Sequence, residues 1–226
     1  MEKGTLAERQ KALAKLATQP GPEADRILLA LFDRYRDREL PPGLWLDFFE
    51  AAAKRDNAEL KARLAEREAE SEKSRDAVSR YRECLEGGNA AAGRVLFTER
   101  PEAGCIRCHR VSGKGAEIGP DLTALRQVTD RVFILESIID PNTVITSGYP
   151  NVLLKLKSGE LLTGIVGFES DADLLLTSVV DGKKRRLKIE EIEERTPLPS
   201  AMPPGFGVTL GKRAIRDLVE FLATVE

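Results

Sequence analysis

The stretch that most constrains this chain is GCIRCHR at residues 104–110, which brings Cys105, Cys108 and His109 within five positions. The chain of 226 residues has only three cysteines and one histidine. Three uses of these side chains are chemically open. The thiols could bond covalently to a haem with His109 on its iron, they could join Cys84 around a zinc ion, or they could cycle between dithiol and disulfide.

The dithiol and zinc hypotheses each meet an obstacle in the sequence. A redox-active CxxC motif opens a helix after a buried strand, and no strand pattern precedes the motif here. A zinc site would use all three cysteines and the histidine, an accepted Cys3His composition. However, Cys84 lies at helical spacing with Tyr81 and Leu85, which indicates a small buried hydrophobic side chain. Cys108 and His109 are adjacent, and the side chains of neighbouring residues diverge.

Covalent haem explains the spacing best. Two thiols three positions apart can add to the two vinyl groups on one porphyrin edge, and the next residue, His109, then lies under the iron. The only internal methionine, Met202, lies in a Pro-rich loop, and a thioether is a good second axial ligand. The carbonyl of Pro120, in IGPDL, can accept the second N–H of the imidazole. We therefore expect haem c bound through Cys105 and Cys108, with His109 and Met202 on iron.

The pattern of polar and apolar residues changes twice along the chain. Residues 1–86 have helical periodicity and predict an N-terminal helical region, with Pro22 in the first turn of one helix and a long polar helix from about Asn57 to Leu85. Residues 87–150 and 196–226 surround the motif and Met202 with short helices and loops, in which Asn89, either Thr129 or Asp130, and Thr209 are predicted helix caps. Residues 151–195 alternate in the manner of strands, with an Asp-Gly hairpin signal, and predict a small antiparallel, barrel-like module inserted between the two ligand-bearing parts.

Several of these segments carry a family resemblance. Residues 89–149 and 196–226 resemble a class I cytochrome c, on Gly93 and Phe97 of the first helix, CxxCH, a Gly-Pro-x-Leu loop, a Met-Pro loop and the final DLVEFL. More narrowly, the chain resembles the CxxCH haem-binding domain of secreted planctomycete and verrucomicrobial multidomain proteins. The matching text is CIRCHRVSGKGAEIGPDLTAL, ILESIIDPNTVITSGY, LKSGELLTGIV, IEEIEER and SAMPPGF.

The resemblance implies a mainly α protein: a class I cytochrome c fold with the inserted β module, after a segment like the tail of a helical repeat. It implies electron transfer by haem c, without an enzymatic activity of its own, from a redox partner or an upstream dehydrogenase-like domain. Tyr149 and Arg131 are expected at the haem edge or at the propionates. The alternatives are a haem sensor in which Met202 leaves and a gas binds, and a structural Cys3His zinc module.

Composition and the distribution of apolar residues limit the classes of binding partner and the cellular location of the protein. A formal net charge of −2 provides no basic surface for nucleic acid. No apolar run approaches the roughly 18 residues of a membrane span. The first residues lack the apolar core of a signal peptide, whereas haem c is attached outside the cytoplasm. We therefore interpret the chain as a C-terminal piece of an exported, periplasmic or similarly located protein.

Overall fold

Capping side chains and a proline determine where several helices begin. The computed structural model describes residues 4–74 and 76–225. Asn89 and Asp130 accept hydrogen bonds from the backbone N–H groups of Ala92 (3.1 Å) and Phe133 (2.9 Å), and Pro22 occupies the first turn of its helix, as the sequence predicts. The helices are α1 Leu6–Leu16, α2 Pro22–Arg36, α3 Trp45–Ala53, α4 Ala58–Lys73, α5 Ala90–Glu99, α6 Leu125–Val128, α7 Arg131–Ile139, α8 Phe206–Thr209 and α9 Gly211–Thr224. None of these described helices is long and apolar enough to cross a membrane.

Strands occupy two parts of the chain, and short 3-10 helices connect several elements. The strands are β1 Arg110–Val111, β2 Lys114–Gly115, β3 Asn151–Leu156, β4 Leu161–Glu169, β5 Asp173–Thr177, β6 Lys184–Lys188 and β7 Ile192–Pro197. The 3-10 helices are Pro42–Leu44, Ala77–Cys84, Cys105–Arg107 and Ile189–Glu191. The final helix differs from the prediction that Thr209 caps it, because Thr209 ends α8 and its hydroxyl donates to the Gly205 carbonyl.

The helices α1 to α4 pack around a first core of aliphatic and aromatic side chains. A reciprocal capping box starts α1: the Glu8 carboxylate accepts from the Thr5 N–H at 2.7 Å, and the Thr5 hydroxyl accepts from the Glu8 N–H at 3.3 Å. The rings of Phe32 and Phe48 meet edge to face with centroids 4.7 Å apart. The buried positions include Leu13, Leu28, Leu31, Leu44, Ala52 and Leu60.

The polar run after residue 57 forms two elements instead of one long helix. Helix α4 ends at Lys73, and the 3-10 helix Ala77–Cys84 begins where the Asp76 carboxylate accepts a hydrogen bond from the Val78 N–H at 2.8 Å. A side-chain cap of this kind starts a new helix and so interrupts the preceding one. Val78 and Cys84 are buried in a second core that includes α5, α7 and α9. The second core thus begins before residue 86, the predicted end of the helical region.

Helices α5 and α9 cross at very short range within the second core. A Cβ atom added to Gly93 would lie 1.9 Å from the Asp217 carbonyl oxygen, so this backbone contact requires a residue without a side chain. One turn further along, the rings of Phe97 and Phe221 lie 5.7 Å apart. The crossing carries α5 directly into the loop that contains the CxxCH motif.

The strands β3 to β7 form an antiparallel sheet in the order β6-β5-β4-β3-β7. Val152, Leu154 and Leu156 of β3 are buried at alternate positions and contribute to a third core, as the period of a strand requires. On the exposed side of the edge strand β6, Arg185 donates to both carboxylate oxygens of Glu160 at 2.7 and 2.9 Å. The sheet therefore has its own apolar interior and a charged outer surface.

The predicted fold class, mainly α with a small β module, is wrong. The structure is about 49% helical and has a five-stranded antiparallel sheet and a two-stranded sheet, so it is mixed α/β. The sheet occupies the segment predicted as the β module, and its last strand, β7, extends two residues beyond it to Pro197 and pairs with β3. The loop after His109 adds the pair β1–β2. The prediction treated the strands as a minor insertion in a helical protein, whereas they form a five-stranded layer with its own apolar core.

Buried ion pairs join the helical region to α9. Arg216 of α9 donates to the Asp47 carboxylate of α3 at 2.6 Å, and both side chains are buried. The Glu83 carboxylate, about 1% exposed, contacts Arg67 of α4 at 2.5 Å and Lys212 of α9 at 2.6 Å. A buried charge is tolerated only when it is paired, so the positions of α3, α4 and α9 depend on one another.

Gly93→Ala is expected to lower the free energy of unfolding by about 1–3 kcal/mol, although alanine is the better helix former by ~1 kcal/mol. The added methyl group meets the α9 backbone, which cannot retreat by a change of rotamer. Gly167→Ala is the matched control, because nothing lies within 4 Å of its added Cβ. Denaturant unfolding of both variants checks the expectation. An unchanged or raised unfolding free energy for Gly93→Ala contradicts the close crossing.

Candidate functional site

The CxxCH motif forms a tight, hydrogen-bonded turn. Gly104 adopts the left-handed conformation with φ 60°, which glycine reaches without strain, and the 3-10 helix Cys105–Arg107 follows. The N–H groups of Cys108 and His109 donate to the Cys105 carbonyl at 3.1 and 2.9 Å. These bonds hold the two thiol-bearing residues and the histidine on one short segment with a defined backbone.

The His109 imidazole is fixed in one tautomer. Its Nδ1 lies 3.0 Å from the Pro120 carbonyl oxygen, and a carbonyl can only accept, so Nδ1 carries the proton and Nε2 keeps the lone pair. A Cβ atom added to Gly119 would lie 2.7 Å from Cε1, so the ring rests directly on that glycine. Burial lowers the pKa of His109, and the hydrogen bond to Pro120 acts in the opposite direction. The imidazole is thus neutral and can bind a metal through Nε2.

The segment after the motif folds back against it. The N–H groups of Ile118 and Gly119 donate to the Cys108 carbonyl at 3.1 and 2.7 Å, and that of Leu122 donates to the Arg110 carbonyl at 2.8 Å. The pair β1–β2 lies within this segment. The carbonyl that the imidazole contacts is therefore held by the same network as the motif itself.

The two cysteines of the motif are free thiols and half-buried. Burial raises the pKa of Cys105 to about 11 and raises that of Cys108, where nearby Arg107 acts in the opposite direction. Redox-active dithiols work by lowering the pKa of the attacking thiol. Protonated thiols at neutral pH give the dithiol hypothesis no support.

Cys84 is used elsewhere in the second core. It is fully buried, its thiol donates to the Lys212 carbonyl at 3.4 Å, and burial raises its pKa to about 12. Within residues 4–74 and 76–225, no group of three or more His, Cys, Asp or Glu side chains is arranged to hold a metal ion. The zinc hypothesis therefore rests on composition alone.

Met202 packs half-buried against the second core, to which Cys105, Ile106 and Leu122 also contribute partly buried side chains. The complete five-stranded sheet separates Met202 from the motif in sequence. The fold thus places Met202 against the same core as Cys105 of the motif, although the two residues are far apart in sequence.

Two asparagines hold the loop that carries Met202. The Ser200 N–H donates to the Asn142 side-chain carbonyl at 2.9 Å, and the Asn151 side-chain amide donates to the Pro199 carbonyl at 2.9 Å. The Met202 N–H donates to the Ser200 hydroxyl at 3.2 Å. The strand β3 therefore helps to position the loop, through its first residue, Asn151.

The two remaining predicted site residues make other contacts. Arg131 donates to both carboxylate oxygens of Glu220 at 2.8 and 2.9 Å and to the Leu85 carbonyl at 3.0 Å. These bonds join α7 to α9. Tyr149 is half-buried in a turn where its N–H donates to the Thr146 carbonyl at 3.1 Å. A role for Arg131 or Tyr149 beside a haem remains a prediction.

Sequence reasoning missed the residues that contact His109 and the Met202 loop. Gly119 carried a signal, since a glycine directly before Pro120 allows a ring to lie on the backbone. Asn142 and Asn151 carried no usable signal, because their partners are backbone atoms far away in sequence. Only the pairing of strands and the packing of helices brings those partners near.

The chain was compared with known protein families and with curated proteins. It matches no family model and no curated protein.

The tautomer of His109 can be measured directly, because it is the only imidazole in the chain. In haem-free protein we expect nitrogen chemical shifts of a ring protonated at Nδ1, and a ring that stays neutral below the ordinary pKa of about 6.5. Gly119→Ala should displace the ring and return both properties towards those of exposed histidine. A wild-type ring protonated at Nε2 contradicts the contact with Pro120.

Proposed function

We propose that this protein binds a c-type haem covalently through Cys105 and Cys108, with His109 and Met202 as axial ligands, and transfers single electrons. The observation that carries the proposal is the His109 imidazole beside two free thiols: burial favours its neutral form, and the Pro120 carbonyl holds the proton on Nδ1, so the Nε2 lone pair is available. We also propose that the protein is exported and has no enzymatic activity of its own.

The residues present fit the group. Haem c needs two thiols that are not already paired, and Cys105 and Cys108 are both free. It needs an oriented imidazole, which a hydrogen bond from the non-ligating nitrogen supplies at metal sites in general. It also needs an apolar surrounding, and the second core presents Ile106, Leu122 and Leu125 as partly buried side chains.

The chain's own residues have distinct tasks in this proposal. The bound haem supplies an iron that changes oxidation state by one electron. The Pro120 carbonyl orients the His109 ring and raises its basicity, and Gly119 provides the flat backbone surface against which it rests. The Met202 thioether favours a high reduction potential, since sulfur stabilises the reduced iron. No proton transfer or bond cleavage in a substrate is required of any residue.

Electrons would reach this site from a redox partner or from a dehydrogenase-like domain upstream in a longer polypeptide. Tethering supports this route, because a short flexible linker provides an effective concentration in the millimolar range. A net charge of −2 makes long-range attraction of a diffusing partner weak. A tethered donor needs no such attraction.

The first test is covalent attachment. Protein produced together with the cytochrome c maturation machinery is expected to keep its Soret absorption through acid-acetone extraction and to gain the mass of one haem. Replacing Cys105 and Cys108 by serine should make the haem extractable. Cys84→Ala is the control, since Cys84 lies buried against Lys212 and should leave attachment intact. Extractable haem, or stoichiometric zinc instead, refutes the proposal.

The second test concerns Met202. Met202→Ala should abolish the near-infrared sulfur-to-iron band, convert the spectrum to high spin and lower the midpoint potential by a fraction of the ~0.8 V that axial ligands span. Redox titration and near-infrared absorption measure both effects. If the band survives in Met202→Ala, another group is the ligand. If wild-type haem is already high spin and binds carbon monoxide readily, the gas-sensor alternative is favoured.

A further inference from the structure

Tyr81 contacts the segment that follows Met202. A Cβ atom added to Gly207 would lie 2.3 Å from the Tyr81 hydroxyl oxygen and 2.7 Å from its Cζ, so the phenol end rests directly on the backbone of α8. Helix α8 starts at Phe206, and the intervening residues after Met202 are Pro-Pro-Gly. The two prolines each fix their φ near −65°, and the Gly205 carbonyl accepts from the N–H groups of Val208 and Thr209, so this short link has little freedom. The position of α8 therefore constrains the position of Met202.

Tyr81 is itself held in place from two sides. The Lys212 ammonium lies 5.6 Å from the centre of its ring and bonds to the Glu83 carboxylate at 2.6 Å. The Cys84 thiol donates to the Lys212 carbonyl at 3.4 Å. Glu83 also contacts Arg67 of α4. The 3-10 helix that carries Tyr81 is thus bonded both to the start of α9 and to α4.

The other flank of the Met202 loop is held independently. There the Asn142 and Asn151 side chains bond to the backbone of Ser200 and Pro199. Met202 therefore lies between a flank bonded through asparagine side chains and a flank packed on Tyr81. Loss of either support should let the thioether move away from its place against the core.

We propose that Tyr81 is a positioning residue for Met202: by packing on Gly207 it keeps the thioether in reach of the haem iron. This inference rests on the proposed function. It also connects helix α4 to the redox site, because Arg67 of α4 contacts Glu83 of the 3-10 helix that carries Tyr81. Tyr81 would act through the loop, and its effect would be seen in how firmly the Met202 thioether holds the iron.

Competition by imidazole measures this effect in haem-loaded protein. Imidazole binds only when Met202 has left the iron, so its apparent affinity rises in proportion to the fraction of protein with the ligand free. We expect Tyr81→Ala to raise the affinity for imidazole about tenfold and to weaken the sulfur-to-iron band. Tyr81→Phe keeps the ring on Gly207 and should restore wild-type affinity.

Gly207→Ala approaches the same contact from the other side. The added methyl group collides with Tyr81 and should also raise the affinity for imidazole. In the double variant with Tyr81→Ala the collision is absent, so the two effects should be less than additive. Tyr35→Ala is the matched control, because its ring packs against Trp45 and Phe49 in the first core. It should lower stability but leave the affinity for imidazole unchanged.

Hydrogen exchange tests the contact without haem. The N–H groups of Val208, Thr209 and Leu210 donate within and next to α8. In haem-free Tyr81→Ala, these amides should exchange about tenfold faster than in wild type, relative to the amides of the first core. In haem-free Tyr35→Ala, they should keep the wild-type rate.

The outcomes separate the two proposals. A wild-type protein that attaches no haem contradicts the proposed function, and this inference with it. A wild-type protein with haem and Met202 on iron, whose Tyr81→Ala variant has wild-type affinity for imidazole and wild-type amide exchange, overturns the role of Tyr81 alone. If Tyr81→Ala does not fold, a wild-type affinity for imidazole in Gly207→Ala overturns the role of Tyr81 instead.

Discussion

The crossing of α5 and α9 at Gly93 is the contact on which the rest of the second core depends. Because the α5 backbone lies directly on Asp217, the two helices leave no room for a side chain between them. One helix leads into the CxxCH turn, and the other follows the Met202 loop. A single backbone contact therefore relates two parts of the candidate site that the strands β3 to β7 separate in sequence.

Charges that are buried in pairs extend this arrangement to the helical region. Asp47 with Arg216, and Glu83 with Arg67 and Lys212, connect α3 and α4 to α9. Such pairs contribute little net stability, since removing the charges from water costs about as much as their attraction returns. Their effect is on geometry, because a displaced helix leaves a charge buried without its partner. The helical region is thereby held in one orientation against the second core.

The candidate site favours neutral groups throughout. Burial lowers the pKa of the His109 imidazole and raises the pKa of the Cys105 and Cys108 thiols, because an apolar surrounding disfavours each charged form. The Met202 thioether carries no charge at any pH. In the proposed haem site, the same surrounding disfavours the more highly charged oxidised iron and so acts in the same direction as the methionine ligand. One physical cause thus accounts for the state of the ligands and for the expected potential.

Local patterns in the sequence were enough to predict the helix cap at Asn89, to narrow a second cap to Thr129 or Asp130, and to predict the hydrogen bond from His109 to Pro120. Each depends on residues a few positions apart, or on a property of one residue type, so the sequence by itself determined them. The mixed α/β class and the supports of the Met202 loop were decided only by the tertiary structure. The pairing of β7 with β3, and the approach of Tyr81 to α8, join segments far apart in the chain, and the free energy of such contacts depends on how whole elements pack rather than on any local pattern.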